Sequence, residues 1–303
     1  MSAPRIGFIG QGWIGKNYAD DFERRGYAVV RYALEAPYNA NRDAIATCDI
    51  VLIAVPTPTT ERGFDDSIVR AVLPLVGAGK IAVIKSTLLP GTTDALSKAF
   101  PDRIVLHSPE FLREAHATDD AAHPDRNLIG IPADTAEYRA AADAVLQVLA
   151  EPAADAVLQV LPAAPFNKVM SAKAAELTKY AGNVFLSIKV VYANMLYDLA
   201  ASMGLEYAEV KDAVAADPRI GPSHLMPVLA SGHTDKAGRG AGGHCFIKDL
   251  EAFRRLYAEL AEDERGSALL SAIVKKNNAL LTDSGKDLEL LEGVYGKEND
   301  LLP

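Results

Sequence analysis

The residues best suited to chemistry stand in the run GRGAGGHCFIKDLEAF, residues 238–253. Cys245 follows a glycine-rich loop, and Lys248 and Asp249 come three and four residues later, on the next helical turn. A thiol near a cation ionises near neutral pH and attacks a carbonyl carbon. The competing reading is packing, because a free cysteine is a small and often buried hydrophobe. The other cysteine, Cys48, opens an apolar run and reads as packing.

A second chemical signal lies near the N-terminus. In GQGWIG, Gly10, Gly12 and Gly15 alternate with Gln11, Trp13 and Ile14, directly after an apolar run and before a helix-like one. Glycines so placed allow a tight turn and close approach of backbone to a pyrophosphate at a helix N-terminus, which points to NAD. Glu35 lies 20 residues after Gly15, the spacing of an acid that binds the adenosine ribose. Counting from the strand end instead gives Ala33, and Arg31 nearby would suit a 2′-phosphate. NAD is preferred to NADP. VPTPTT (Val55, Pro56, Thr57, Thr59) and KSTLLPGTT (Ser86, Thr87) put small hydroxyl residues where strands end and ligands of such sheets bind. Turn chemistry is the competing explanation for Thr57 and Thr59. GAGK at 77–80 lacks the spacing of a phosphate-binding P-loop.

These residues need a scaffold, and the pattern supplies one. Strand-like runs at 5–9, 28–32, 49–55, 80–87, 103–109 and 127–133 alternate with helix-like runs at 16–25, 67–77 and 93–100. Such alternation predicts an α/β fold with a Rossmann-type doubly wound parallel sheet. After about residue 165 the pattern is helical: a long run at 168–203, then 206–216, 248–263 and 266–282. The expected division is a NAD-binding Rossmann domain at 1–165, a helical catalytic and dimerisation domain at 166–285 with a long central helix, and a charged, fraying tail at 286–303. AADAVLQVL occurs at 141–149 and again at 153–161, a local duplication with no assigned function.

The net charge of −9 gives no footprint for nucleic acid or an anionic membrane. The N-terminus reads as neither signal nor transit peptide. No apolar run seen in the sequence approaches the roughly 20 residues of a membrane span. Two cysteines without a secretory signal point to free thiols in a cytoplasm. His224, His233 and His244 are scattered and read as surface residues, so no metal is implied.

GQGWIG, VPTPTT, KSTLLPGTT, SPEFLREA (108–115), AELTKYAGNVFLSIKVVYAN (175–194), DPRIG (217–221) and GAGGHCFIKDLEAF (240–253) occur in this order. Together they resemble the UDP-glucose/GDP-mannose dehydrogenase family, as far as about residue 282. The resemblance implies a NAD-dependent four-electron oxidation of a sugar's primary alcohol to a carboxylate, through a cysteine thiohemiacetal and thioester. It makes Cys245 the nucleophile, Lys179 the oxyanion-stabilising lysine and Asn183 its partner donor. Asp249 would hold a catalytic water with Lys179, Glu110 would be the general base, and Thr87 would line the cofactor and water site. Glu114 and Lys248 fall on the cofactor side. Phe111, Leu112, Arg113, Gly242 and Gly243 line the substrate, and Arg219 reaches a neighbouring subunit's substrate. The resemblance implies a nucleotide-sugar substrate, and the length of the helix at 168–203, with the excess apolar surface of its KVVYANMLYDLA portion, predicts a homodimer through it.

Three departures stand out. Family members usually carry a third, nucleotide-sugar-binding domain, which residues 283–303 cannot build. The segment between the second and third strands is short. The loop before the glycines is long, and His244 replaces a smaller residue. The alternatives are a two-electron β-hydroxyacid-type dehydrogenase, which needs neither Cys245 nor SPEFLREA, and a non-catalytic NAD-binding relative.

Overall fold

The computed structural model describes residues 3–113, 116–150, 164–231 and 234–296. Glu114, His233 and the second AADAVLQVL copy lie outside the described residues. The chain divides into two compact units, Met1–Thr57 with Asp65–Lys179, and Pro58–Phe64 with Tyr180–Pro303. This division falls within the long helix, between Lys179 and Tyr180.

The chain begins with β1 (Ile6–Ile9), α1 (Trp13–Arg24), β2 (Val29–Tyr32) and β3 (Ile50–Ile53). A short hairpin, β4 (Thr59–Thr60) and β5 (Gly63–Phe64), belongs to the second unit. The first unit resumes with α2 (Ser67–Val72), β6 (Ile81–Ile84), α3 (Thr92–Ala99), β7 (Ile104–His107), α4 (Ala117–Ala122), β8 (Arg126–Ile131), α5 (Ala136–Ala150) and β9 (Phe166–Ser171). Its seven-stranded sheet runs β2-β1-β3-β6-β7-β8-β9. The central strands IGFI, IVLI and IAVI are apolar or glycine throughout and almost wholly buried, as strands covered on both faces must be. Phe8 of β1 meets Phe22 of α1 edge-on, 5.4 Å between ring centres. The first copy of the repeat lies on α5, which packs on β8.

Two expectations are corrected here. The sheet is not wholly parallel: β8 joins β7 antiparallel at His107 and Gly130, and β9 then runs parallel to β8. The long helix begins at Ala172 and not at 168, because residues 166–171 add an edge strand in register with Arg126–Ile131. An edge strand is half exposed, so FNKVMS carries little alternation to betray it.

The helix that follows, α6 (Ala172–Ser202), starts in the first unit against β8. A Cβ on Gly130 would lie 2.8 Å from Ala172 Cα and 2.9 Å from Ala175 Cβ, so three small residues permit this approach. By length and composition alone α6 is apolar enough to cross a membrane, which corrects the expectation that no run approaches that size. Its charges are scattered among apolar residues, and Glu176, Lys179 and Asn194 are buried on its inner side.

The second unit continues with α7 (Tyr207–Ala215), the strand pair β10 (Val228–Leu229) and β11 (Gly238–Arg239), α8 (Gly243–Leu260), α9 (Glu264–Ser284) and α10 (Leu288–Tyr295). Asp263 caps α9, accepting the Arg265 and Gly266 N–H groups at 3.1 Å, and Gly285 ends it at φ +63°. The core joins Val184, Ile247, Leu250, Val274 and Leu281 to Leu291, Val294 and Tyr295. The helix expected at 248–263 begins at Gly243, so it carries Cys245 in its first turn. The segment expected to fray from residue 286 is folded as far as Tyr295, because α10 supplies three buried side chains to this core.

Candidate active site

The glycine turn of the first unit follows β1 as the spacing requires. Gly10 has φ +91°, and a Cβ there would run into the Ala54 carbonyl oxygen. A Cβ on Gly15 would strike the Gly10 carbonyl oxygen. Gly12, the N-cap of α1, has nothing within 4 Å of a would-be Cβ. The open space over Gly12 and the uncapped N-terminus of α1 fit a pyrophosphate. Gln11 donates to the Gly10 carbonyl at 3.0 Å, while Trp13 is exposed and Ile14 packs on the core.

The tips of β3 and β6 are tied together beside this turn. Ser86 Oγ accepts the Val55 N–H at 3.0 Å and donates to the Val55 carbonyl at 2.7 Å. Thr57 donates to the Thr87 carbonyl at 2.7 Å. These hydroxyls do structural work at the sheet edge, and Pro56 is exposed next to them. Thr59 is buried in the second unit's hairpin. Glu35 is exposed three residues past the end of β2. The Arg31 guanidinium is already engaged, by Asp20 and Glu23 at 2.7 Å each. That leaves it poorly placed for a 2′-phosphate and supports NAD.

At the other end of the sheet edge, a carboxylate and two lysines are buried. Glu110 is 4% exposed; its Oε1 accepts the Leu112 N–H at 2.6 Å, and its Oε2 has no hydrogen-bond partner. Burial pushes its carboxyl up, against the pull of Lys179 and Lys85. Lys85, which the sequence reading passed over, donates to Ser108 Oγ at 3.2 Å and lies 4.5 Å from the Tyr18 ring centre. Burial brings its ammonium down to about 8. The missed signal was a charge at the end of the apolar strand IAVIK. His107 is fully buried, bonded through Nδ1 to the Ile84 carbonyl at 3.0 Å, and burial holds its ring neutral.

Two cations approach the Phe111 ring, Arg126 at 3.8 Å and Lys179 at 5.6 Å from its centre. Phe111, Leu112, Arg113, Lys85 and Tyr18 line one cavity of about 160 Å³. The Arg113 guanidinium is engaged there by Asp120.

In the second unit, α8 opens at Gly242 and Gly243, the latter at φ +79°, and Cys245 is exposed in its first turn. Asp249, one turn on, is fully buried. Its Oδ2 accepts Asn183 Nδ2 and its Oδ1 accepts Lys248 Nζ, both at 2.6 Å. Burial alone would lower the Lys248 pKa, but the charges of Asp249 and Cys245 hold it above the ordinary value. Lys248, expected on the cofactor side, is thus the direct partner of Asp249. Arg219 is fully exposed and paired with Asp217 at 2.6 Å. Cys48 is a packing thiol: it is buried, its Sγ is 3.7 Å from the Ala44 carbonyl, and burial pushes it up. His224 is half-buried against Phe246, which corrects its reading as a surface residue. A loop residue at φ +61° turned inward leaves no periodic trace in sequence.

So the structure gathers the glycine turn, Thr57, Ser86, Thr87, Glu110, Phe111 and Lys179 in the first unit, and Asn183, Cys245, Lys248 and Asp249 in the second. Residues 32–149 match the NAD binding domain of the UDP-glucose/GDP-mannose dehydrogenase family, and residues 173–279 match that family's central domain. UDP-glucose 6-dehydrogenase YwqF of Bacillus subtilis is 30% identical over 298 residues, 93% of this chain and 60% of that protein. The UDP-glucose 6-dehydrogenase of Rhizobium meliloti is 34% identical over 224 residues, 70% of this chain and 46% of that protein. The chain therefore spans less than two thirds of these relatives' length. A UDP-glucose dehydrogenase structure from Pyrobaculum islandicum has a TM-score of 0.72 at 29% identity, covering 90% of this chain and 68% of that one. A 3-hydroxyisobutyrate dehydrogenase from Mycobacterium tuberculosis shares the fold, with a TM-score of 0.61 at 16% identity and coverage of 90% and 94%.

Proposed function

Since the chain belongs to the UDP-glucose/GDP-mannose dehydrogenase family and carries its NAD-binding domain, we propose that it oxidises the primary alcohol of a nucleotide sugar to a carboxylate. The observation that supports this most directly is Cys245, exposed in the first turn of α8 with the Lys248–Asp249 pair one turn behind it. NAD supplies the hydride acceptor for each of two oxidations. Cys245 adds as thiolate to the aldehyde carbon left by the first, and after the second the same carbon is a thioester on Sγ. Glu110, raised by burial, takes a proton from the water that attacks this thioester, and Cys245 leaves as thiolate. Lys179 supplies positive charge for the oxyanions that develop on the way. The turn at Gly10, Gly12 and Gly15 holds the pyrophosphate, with Glu35 nearest the adenosine side. The protein acts as a cytoplasmic homodimer.

The test is NADH yield from purified protein with NAD⁺ and UDP-glucose, UDP-N-acetyl sugars, GDP-mannose and simple hydroxy acids in turn. About two NADH per sugar, abolished in Cys245→Ala, supports the thioester route. One NADH per hydroxy acid, unchanged in Cys245→Ala, replaces it with a two-electron dehydrogenase.

A further inference from the structure

The run 239–243 delivers the chain into α8; Arg239 at its start pairs with Val228 of β10, and its side chain reaches Asn194 and Asp198 of α6. The run is held from outside by α9 and the turn that follows. The Arg239 N–H donates to Ser284 Oγ at 3.0 Å. Lys286 Nζ donates to the Gly240 carbonyl at 2.9 Å. Asn277 takes both polar groups of Ala241, accepting its N–H at 2.7 Å and donating to its carbonyl at 3.1 Å. Asp287 Oδ2 accepts the Gly243 N–H at 2.8 Å, while its Oδ1 accepts Ser231 Oγ at 2.9 Å. Gly242 packs so closely on this turn that a Cβ would run into the Asp287 carboxylate and lie 2.9 Å from Lys286 Cε.

Two features mark this as a built device. Lys286 and Asp287 are buried, at 3% and 7% exposure, although both are charged. Asp287 also adopts φ +53°, a left-handed conformation that asparagine and aspartate tolerate best among the side-chain-bearing residues. The Gly243 N–H is the first of the four that α8 leaves without an intrahelical partner, so Asp287 caps this helix from 44 residues away.

We propose that Asp287 and Lys286 are positioning residues, which fix the glycine run and thereby the first turn of α8 that presents Cys245. The catalytic consequence rests on the reading of Cys245 as nucleophile. The positioning itself can be tested without turnover.

The test compares Asp287→Ala with Asp287→Asn by amide hydrogen exchange over 238–247 and by iodoacetamide alkylation of Cys245, with Cys245→Ser as background. Both variants lack the charge. Only asparagine keeps an oxygen for the Gly243 N–H and an amide for Ser231. Loss of one such hydrogen bond predicts exchange about tenfold faster in Asp287→Ala than in Asp287→Asn. The positive end of an intact first turn favours thiolate, so Asp287→Ala should also alkylate about threefold slower than Asp287→Asn. Equal exchange and equal alkylation in the two variants overturn the proposal. Should Asp287→Ala fail to fold, Gly242→Ala loads the same contact from the other side. It should accelerate exchange at 239–243 and leave the middle of α9 unchanged; no acceleration overturns the proposal. In turnover assays kcat should fall in Asp287→Ala and recover in Asp287→Asn. A protein inactive on every sugar counts against the proposed function, while exchange and alkylation still decide the positioning role.

Discussion

The side-chain amide of Asn183 donates to Asp249 Oδ2 over 2.6 Å, joining α6 to the helix that carries Cys245. Asp249 is fully buried, and its other oxygen takes Lys248. A buried carboxylate stripped of a donor keeps its desolvation cost, so Asn183→Ala should destabilise by about 1–3 kcal/mol. Asp249→Asn should act on Lys248: burial remains while the main opposing charge is gone, so the ammonium should titrate lower than in the wild type. Lysine titration followed by NMR reads this directly, and an unmoved Lys248 would contradict the pairing.

Glu110 should set the pH dependence of product release. Burial raises its pKa, so the ionised base appears at higher pH than for an ordinary glutamate. Thioester hydrolysis should therefore rise with pH through that elevated value and then level off. Glu110→Gln should still form the acyl-enzyme, giving a burst of about two NADH per site, then turn over roughly 10²–10⁴-fold more slowly. Wild-type turnover in Glu110→Gln would remove it from the mechanism.

Much of this arrangement was legible before any coordinates. Regular elements with strong periodicity, β1, β3, β6 and α9, stand within a few residues of their expected places. The glycine turn was readable because Gly10 and Gly15 are demanded by backbone collisions that no other residue survives. What escaped was set by distant partners. β9 exists because β8 offers it hydrogen bonds, not because FNKVMS prefers to be extended. Asp287 looked like part of a charged tail, since nothing local says that its carboxylate meets Gly243. Lys85 was hidden in plain view, because only the fold shows that the end of its strand is sealed from water.

Lys85 should impose a pH dependence on stability. Its folded pKa of about 8 lies below the ordinary lysine value. Between the two the unfolded chain binds more protons, so stability rises with pH over that window, and the burial penalty is fully present below about 8. Lys85→Met removes the titration. Denaturant unfolding at about pH 7.5 and about pH 10 should show the wild type gaining on Lys85→Met at the higher pH. A constant gap between the two proteins would place the Lys85 ammonium in contact with water.

The glycines of the first turn should separate folding from binding. Gly10→Ala forces a side chain onto φ +91° and into the Ala54 carbonyl, so it should lower the Tm. Gly12→Ala meets nothing within 4 Å and should leave the Tm unchanged. It should still weaken NAD binding by about tenfold or more, because the pyrophosphate must approach that backbone. Calorimetric titration beside a thermal melt distinguishes the two. A Gly12→Ala protein that binds NAD normally would move the pyrophosphate elsewhere.

The outer stripe of α6 is apolar and exposed. Phe185, Tyr192, Leu199 and Met203 are 65%, 56%, 57% and 64% exposed. The first three are spaced seven apart and the fourth follows by four, so they form one face of the helix. Four large apolar side chains in a row on one helix are costly to leave in water, and the face is self-complementary only if a second copy runs across it. Light scattering should therefore report a dimer. Phe185→Glu with Leu199→Glu should give a monomer with an intact fold, since neither side chain packs in the core. A wild-type monomer would leave the stripe without a second copy. A dimeric double variant would place the interface on another surface.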